Sequence, residues 1–380
     1  MIELFTSPLI LGLVLLGTAL GIIVGAIPGM TGTMLIALTL PMTFSMEPVS
    51  ALVLLVAMYV GAVSGGLISA TLLRMPGTPA AVMTTLDGYP MARAGQPGRA
   101  LGLGIGASLF GGVISWFALW QLAEPMADWS TKLGPFDIFS LVVLALALLA
   151  GVGESTRARG LLAGGLGVLV AMPGMHPATG ELRWTLGITS MNEGFRLIPV
   201  LIGMFAIGKI LDDLTSDEGK MEAASGDDSP FIPFSTWRHQ IGNLLRSSGI
   251  GTLIGVLPGV GANIGSLAAY ATAKRASNQP EKFGKGSEQG IVASESANNA
   301  TVGGALIPLI ALGVPGSVIG AVLLGALIVH GLQPGPLLFR QNPQAVHAII
   351  GTVLVANVVM FALMLGGARW IARLPSVPKK

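Results

Sequence analysis

Cysteine is absent from the 380 residues, so neither a disulfide framework nor a thiol-ligated metal site is open to the chain. The four histidines stand far apart in sequence, and no His-Glu-x-x-His pair occurs, which removes a common zinc-enzyme pattern. No Walker-type glycine loop is present, so this chain does not hydrolyse ATP. Charge is equally scarce: Asp, Glu, Lys and Arg make up 11% of the residues, against about 25% in soluble domains. What fills the sequence instead is apolar, 52% of the chain, with 54 glycines and 24 prolines among the rest. Such a composition belongs to an all-α integral membrane protein, a polytopic helical bundle in a lipid bilayer. The net charge of +2 identifies no partner, and nothing points to nucleic acid.

The glycines and prolines recur in pattern. Gly25-Ala-Ile-Pro28-Gly29-Met-Thr31-Gly-Thr33 returns 230 positions later as Gly255-Val-Leu-Pro258-Gly259-Val-Gly261-Ala-Asn263. Each Pro-Gly pair interrupts an apolar run long enough to be a membrane helix. At bilayer depth the hydrogen bonds lost at such a break must be recovered from protein, trapped water or a ligand. The N–H groups just after each break form the positive end of a new helix, a place suited to a carboxylate. A plain packing kink explains one such break; two in corresponding places call for more. The repeat also extends further. Gly65-Gly66 is followed by Met75-Pro76-Gly77-Thr78, and Gly303-Gly304 by Val314-Pro315-Gly316-Ser317.

Apolar runs place spans at 8–27 and 29–44 around the first break, then at 49–73, 101–122, 138–152, 160–172, 197–211, 249–273, 297–314, 318–329 and 345–374. Residues 1–7 carry no basic residue and no small-residue cleavage site follows them, so the first run is a retained helix. Three parts result: a first membrane repeat with additional spans over 1–211, an acidic linker with an interfacial helix over 212–247, and a second membrane repeat over 248–380. The helix expected at the interface covers 231–246, with Trp237, His239 and Leu244-Leu245. Seventeen of the 21 Lys and Arg fall in 74–99, 157–159, 209–246, 274–285 and 369–380. If those segments are cytoplasmic, Lys132, Arg183, Arg196 and Arg340 lie outside, and the two halves run in opposite directions. Inverted halves with Pro-Gly-broken, re-entrant helices point to a secondary transporter whose site lies near the midplane.

The candidate substrate site is therefore the set of half-helix starts: Gly29, Thr31 and Thr33 in one repeat, and Gly259, Gly261 and Asn263 in the other. The second breaks, Gly77-Thr78 and Gly316-Ser317, complete the cage. Ser64, Asn298 and Asn299 on the Gly-Gly spans offer oxygens suited to sodium, a hard cation; helix-to-helix hydrogen bonding is the plainer role for the same residues. Asp137, Glu47 and Glu295 read as span-end residues. Spans free of carboxylates favour sodium over a proton as the coupling ion, and no cofactor is required. Asp87-Gly88-Tyr89-Pro90 reads as a turn in a cytoplasmic loop. Lys282, Lys285 and Ser287 read as an exposed loop.

Two other readings stand beside the carrier. Ser64-Gly65 and His330 would form the serine–histidine pair of an intramembrane hydrolase. A passive anion channel or a non-transporting scaffold would need no paired breaks around a central site.

The stretches LLRMPGTPAAVMTTLDGYPMARAGQPGRALG within 61–102, GVLPGVGANIGSLAAYATAKR at 255–275, PEKFGKGSEQGIVASESANNA at 280–300 and GALIVHGLQPGPLLF at 325–339 resemble the TctA family. That family is the large membrane subunit of tripartite tricarboxylate transporters. The resemblance implies an inner-membrane permease working with a periplasmic substrate-binding protein and a small membrane subunit, taking up citrate-like carboxylates with a cation gradient. It also implies further membrane helices beyond Lys380.

Overall fold

The computed structural model describes residues 2–134 and 228–373, with parts of 136–211 between them. The acidic stretch 212–227 and most of 138–152 lie outside the described residues, as do 197, 198, 201, 209 and 210 in the expected span 197–211, where Ile202–Ile207 form a π-helical segment. The described helices are α1 (Pro8–Ala26), α2 (Gly32–Thr39), α3 (Pro48–Leu72), α4 (Val82–Arg93), α5 (Pro97–Ser130), α6 (Arg157–Ala171), α7 (Phe234–Val256), α8 (Gly261–Ala276), α9 (Glu288–Leu312), α10 (Val318–Val329), α11 (Pro336–Gln341) and α12 (Pro343–Arg373). Two short antiparallel strands pair Gly174 with Arg183 and Met175 with Leu182. Among the described residues, four helices are long and apolar enough to cross a membrane: α1, α3, α5 and the 343–368 part of α12.

α3 is the pivot of the first half. Glu47 starts it, its carboxylate accepting from Val49 N (3.2 Å) and Ser50 N (3.1 Å), with Pro48 at the first helical position. Every residue from Ser50 to Leu72 is buried. α9 is its counterpart, started by Ser287, whose hydroxyl accepts from Gly290 N, and ended by Gly313 in the left-handed region. It is buried from Gly290 to Ala311 although it carries Ser, Thr, Asn and Glu side chains. Protein surrounds it on all sides, so lipid exacts no penalty for those polar groups, and hydropathy alone does not single it out.

Both broken helices run alongside their pivot on glycine. A Cβ on Gly21 would strike the Met58 carbonyl, and on Gly25 the Ala62 carbonyl; Gly251 and Gly255 meet Ala297 and Thr301 in the same way. From the pivots' side, Gly65 faces the Ile22 carbonyl and Gly304 that of Thr252. The offset between halves is thus 230 in the broken helices and 239 in the pivots. This corrects the sequence alignment of the doublets by one residue, because Gly65 matches Gly304 and not Gly303. Each second break folds back to the first: Gly77 abuts the Gly25 carbonyl, and Gly316 that of Gly255. The pivots cross antiparallel, since Ser64 meets Asn299 while Tyr59, earlier on α3, meets Ser317 beyond the end of α9. The two halves are inverted copies.

Three expectations change in detail. Residues 231–246 are not a separate interfacial helix, because α7 runs unbroken from Phe234 to Val256. Asp87-Gly88-Tyr89-Pro90 is not a turn but lies inside α4. Glu295 is not at a span end: it is the eighth residue of α9 and fully buried.

Candidate substrate and cation site

Each break is built by its own local chemistry. Gly29 (φ 88°), Gly259 (φ 75°) and Gly261 (φ 72°) take the left-handed conformation that turns the chain at the tips, a region glycine enters without the steric cost of a side chain. Thr31 caps α2, its hydroxyl accepting from Met34 N at 3.1 Å, and Ser317 caps α10, accepting from Gly320 N at 3.1 Å. Thr33 is buried and Asn263 is exposed. The first N–H groups of α2 and α8 have no intrahelical acceptor, as at any helix start.

The two tips do not pack on each other. Each reaches the second break of the opposite half: α2 packs on α10, with Gly32 against Ile319, and α8 packs on residues 79–81. The helix that begins with Thr31 and Thr33 thus lies against the one that Ser317 starts, and the helix that begins at Gly261 lies against the segment that follows Gly77 and Thr78. The inversion relates these two half-sites, but their contents differ. In the first, the Tyr59 hydroxyl meets the Ser317 hydroxyl at 3.2 Å. The 239-residue offset turns Tyr59 into Asn298 and Thr78 into Ser317. Asn298 is several ångströms shorter than tyrosine, and the Asn298 Oδ1 and Thr78 Oγ1 atoms are both buried without a hydrogen-bond partner. Buried polar atoms ordinarily find partners, so each of these two open oxygens is a candidate contact for a ligand.

Of the three expected sodium ligands, two are already engaged. Ser64 Oγ donates to Asn299 Oδ1 at 2.6 Å, joining α3 to α9. Asn298 Nδ2 donates to the Val63 carbonyl at 3.4 Å, leaving its Oδ1 open. The chain of contacts continues to residues that sequence reasoning did not place there. Asn299 Nδ2 donates to Ser108 Oγ (2.8 Å), which donates to Glu295 Oε2 (3.3 Å). Thr84 Oγ1 meets Glu295 Oε1 and lies 3.0 Å from Ser294 Oγ. The visible signal was the polar run Ser294-Glu295-Ser296-Ala-Asn298-Asn299, dense for a single helix.

Asp87 is the other residue that was missed. Its Oδ1 accepts from Gly284 N, Lys285 N, Gly286 N and Ser287 N at 2.8–3.1 Å, and its Oδ2 from Tyr270 Oη at 2.8 Å. Gly284 and Gly286 hold positive φ, curling the backbone so that its N–H groups converge as an anion nest. The nest is filled from within the chain. Ser287, read as an exposed loop residue, is buried here as the α9 cap.

Among the described residues, Ser64 and His330 are not brought together as a pair. Ser64 bonds Asn299, whereas His330 Nε2 lies 3.0 Å from Thr43 Oγ1, whose hydrogen goes to the Leu40 carbonyl. Partial burial, opposed by Glu47, holds the His330 ring below the ordinary histidine range, just beyond the end of α10. The unfolded chain then binds this proton more readily than the folded one, so stability is lost as pH falls through the histidine range. A pH series of melting temperatures in detergent is expected to show a smaller acid-side decline for His330→Gln than for the unaltered protein; parallel declines count against this role.

The chain matches the tripartite tricarboxylate transporter TctA family over residues 11–380. A relative from Agrobacterium vitis, described as an uncharacterized 52.8 kDa protein in the TAR-I ttuC' 3' region, is 33% identical over 351 residues, or 92% of this chain and 70% of the relative. A second, in the TAR-II ttuC' 3' region of the same organism, is 38% identical over 115 residues, or 30% of this chain and 48% of the relative. No solved structure matches. With a match across nearly its whole length and a membrane fold of inverted, broken helices, the chain belongs to the tripartite tricarboxylate transporter TctA family.

Proposed function

We propose that the chain carries citrate-like di- and tricarboxylates across the bacterial inner membrane by alternating access between its inverted halves. In this reading it is the permease subunit of a binding-protein-dependent system, receiving substrate from a periplasmic substrate-binding protein and working beside a small membrane subunit. The observation that carries it is the inverted pair of half-sites, each made of one Pro-Gly tip and the second break of the other half. Helix starts offer N–H groups to carboxylates without a buried cation, and the open Asn298 Oδ1 and Thr78 Oγ1 leave room for substrate or ion. A cation gradient drives accumulation. Sodium would find one open oxygen among its expected ligands, Asn298 Oδ1, since Ser64 and Asn299 bond each other, and a proton is the alternative.

The test is counterflow of labelled citrate in vesicles holding this chain, with the two partner subunits supplied. A carrier gives transient accumulation against unlabelled citrate inside; a channel or scaffold gives none. Replacing Asn263 by leucine is expected to reduce counterflow about tenfold, whereas Asn278→Leu in the exposed loop after α8 leaves it unchanged. Ser287 does not serve as that control, since it caps α9. Equal effects of the two substitutions would remove the tip from the site.

A further inference from the structure

The expectation of sodium rests on spans free of carboxylates, and the position of Glu295 removes that premise. Its side chain is 0% exposed. Among the described residues its two oxygens meet the hydroxyls of Thr84 and Ser108, the Asn298 side-chain amide also bonds the carboxyl group, and no cation pairs with it. Several charged and titratable groups on the surrounding helices have partners of their own. On α4, Asp87 holds the 284–287 nest; on α8, Tyr270 donates to Asp87. On α5, Arg99 pairs with Glu288 at 2.6 Å, and on α7, Arg246 Nη2 donates to Asn243 Oδ1 while its Nε is buried without a partner and forms no ion pair with Glu295. α3 presents Ser64, through Asn299 and Ser108. An ionised carboxylate without a counter-charge in such a place costs several kcal/mol, and a proton removes the charge.

Counting hydrogens leads to the same point. Glu295 Oε1, Thr84 Oγ1, Ser294 Oγ and the Ile291 carbonyl form a row of three contacts. Thr84 and Ser294 supply two hydrogens, so with Glu295 ionised one contact has none. A proton on Glu295 completes the row: Glu295 donates to Thr84, Thr84 to Ser294, and Ser294 to the Ile291 carbonyl. The other oxygen stays bound to Ser108, and through Ser108 and Asn299 to Ser64 on the opposite pivot. A group that gains or loses a proton here thus changes the hydrogen bonding of α4, α5 and both pivots. A hollow lined by Gln240, Lys285, Ser287, Glu288 and Gln289 opens over the first turn of α9, and Glu295 lies about 10 Å further along the helix, at 1.5 Å per residue.

We propose that Glu295 is the proton-binding group of this carrier, its carboxylate taking up one proton and releasing it in each cycle, so that the coupling ion is a proton. The proposal rests on the transport reading and names the ion at its central helix. Infrared spectra of the purified full chain across about pH 5–9 test it without transport. A carboxylic-acid C=O band that fades as pH rises is expected, lost in Glu295→Gln and shifted but present in Glu295→Asp, which guards against simple misfolding. Added citrate is expected to move the pH at which the band fades, because substrate and proton binding are linked. In vesicles, stimulation of citrate uptake by an inward pH gradient is expected to be lost in Glu295→Gln. Spectra of wild type and Glu295→Gln that coincide at every pH, or uptake driven by sodium and indifferent to the pH gradient, overturn the proposal. Absent counterflow with the band intact overturns the transport reading instead, so the two failures are read separately.

Discussion

Asp87→Ala is expected to destabilise the protein by about 4 kcal/mol, a large part of the roughly 5–15 kcal/mol that holds a folded domain together. One buried carboxylate satisfies four consecutive backbone N–H groups and the Tyr270 hydroxyl. Hydrogen bonds to a charged group are worth about 1.5–3 kcal/mol each, and although they do not add fully, alanine leaves five donors in need of partners at once. The consequence is not local. Residues 284–287 lead directly into α9, and Ser287, one of the four, is its cap. Without the nest the start of α9 loses its anchor to α4, and with it the Arg99–Glu288 pair that ties α9 to α5. Loss of the monodisperse peak on gel filtration after mild heating is the expected readout. Asp87→Asn keeps an acceptor at Oδ1 and is expected to fall about midway. Glu281→Ala, in the exposed 280–282 turn, is expected to match wild type. An Asp87→Ala protein as heat-resistant as the Glu281→Ala control would contradict this account.

How far this architecture can be read without coordinates depends on which physical signal each part leaves in the sequence. The Pro-Gly breaks are visible because proline and glycine are costly in lipid-buried helix and stand out against an apolar background. Their recurrence is enough to expect two inverted, re-entrant halves. The register between the pivots is not visible in the same way. Gly65-Gly66 and Gly303-Gly304 look alike as doublets, and only the carbonyls of Ile22 and Thr252, which Gly65 and Gly304 face, decide which glycine matches which. Glu295 was misplaced for a related reason. An apolar-run rule assumes that lipid surrounds a span, but α9 is enclosed by α4, α5, α7, α8 and the other pivot, so its polar first half belongs to the same helix as its apolar second half. Asp87 was hidden because an Asp-Gly-Tyr-Pro sequence reads as a turn, while its partners lie about 200 positions away in a glycine-rich loop. The breaks were legible as local chemistry; which break faces which was not, since that is set by the crossing of α3 and α9.

Gly25→Val and Gly255→Val are each expected to prevent the protein from assembling, and to do so to the same degree. A Cβ on Gly255 would lie 2.7 Å from the Thr301 carbonyl and 3.0 Å from Ala305 N, and one on Gly25 would come closer still to the Ala62 carbonyl. These obstacles are backbone atoms of a helix buried on every side, which cannot move aside as the end of a flexible side chain does. Overpacking of this kind costs about 1–3 kcal/mol where neighbours give way, and more where they do not. The same two carbonyl groups, of Gly25 and Gly255, also receive the second breaks at Gly77 and Gly316, so a forced separation opens the candidate site as well as the helix pair. Gly12→Val on α1 and Gly249→Val on α7 place the same side chain where nothing lies within 4 Å, and serve as matched controls. If the halves are equivalent, the yield of folded protein drops for Gly25→Val and Gly255→Val together and is retained in both controls. A sharp drop for one and none for the other would mean that the two pivots do not hold their broken helices by the same contact. The inversion would then be a likeness of sequence without a shared mechanical role, and alternating access between equivalent halves would lose its structural basis.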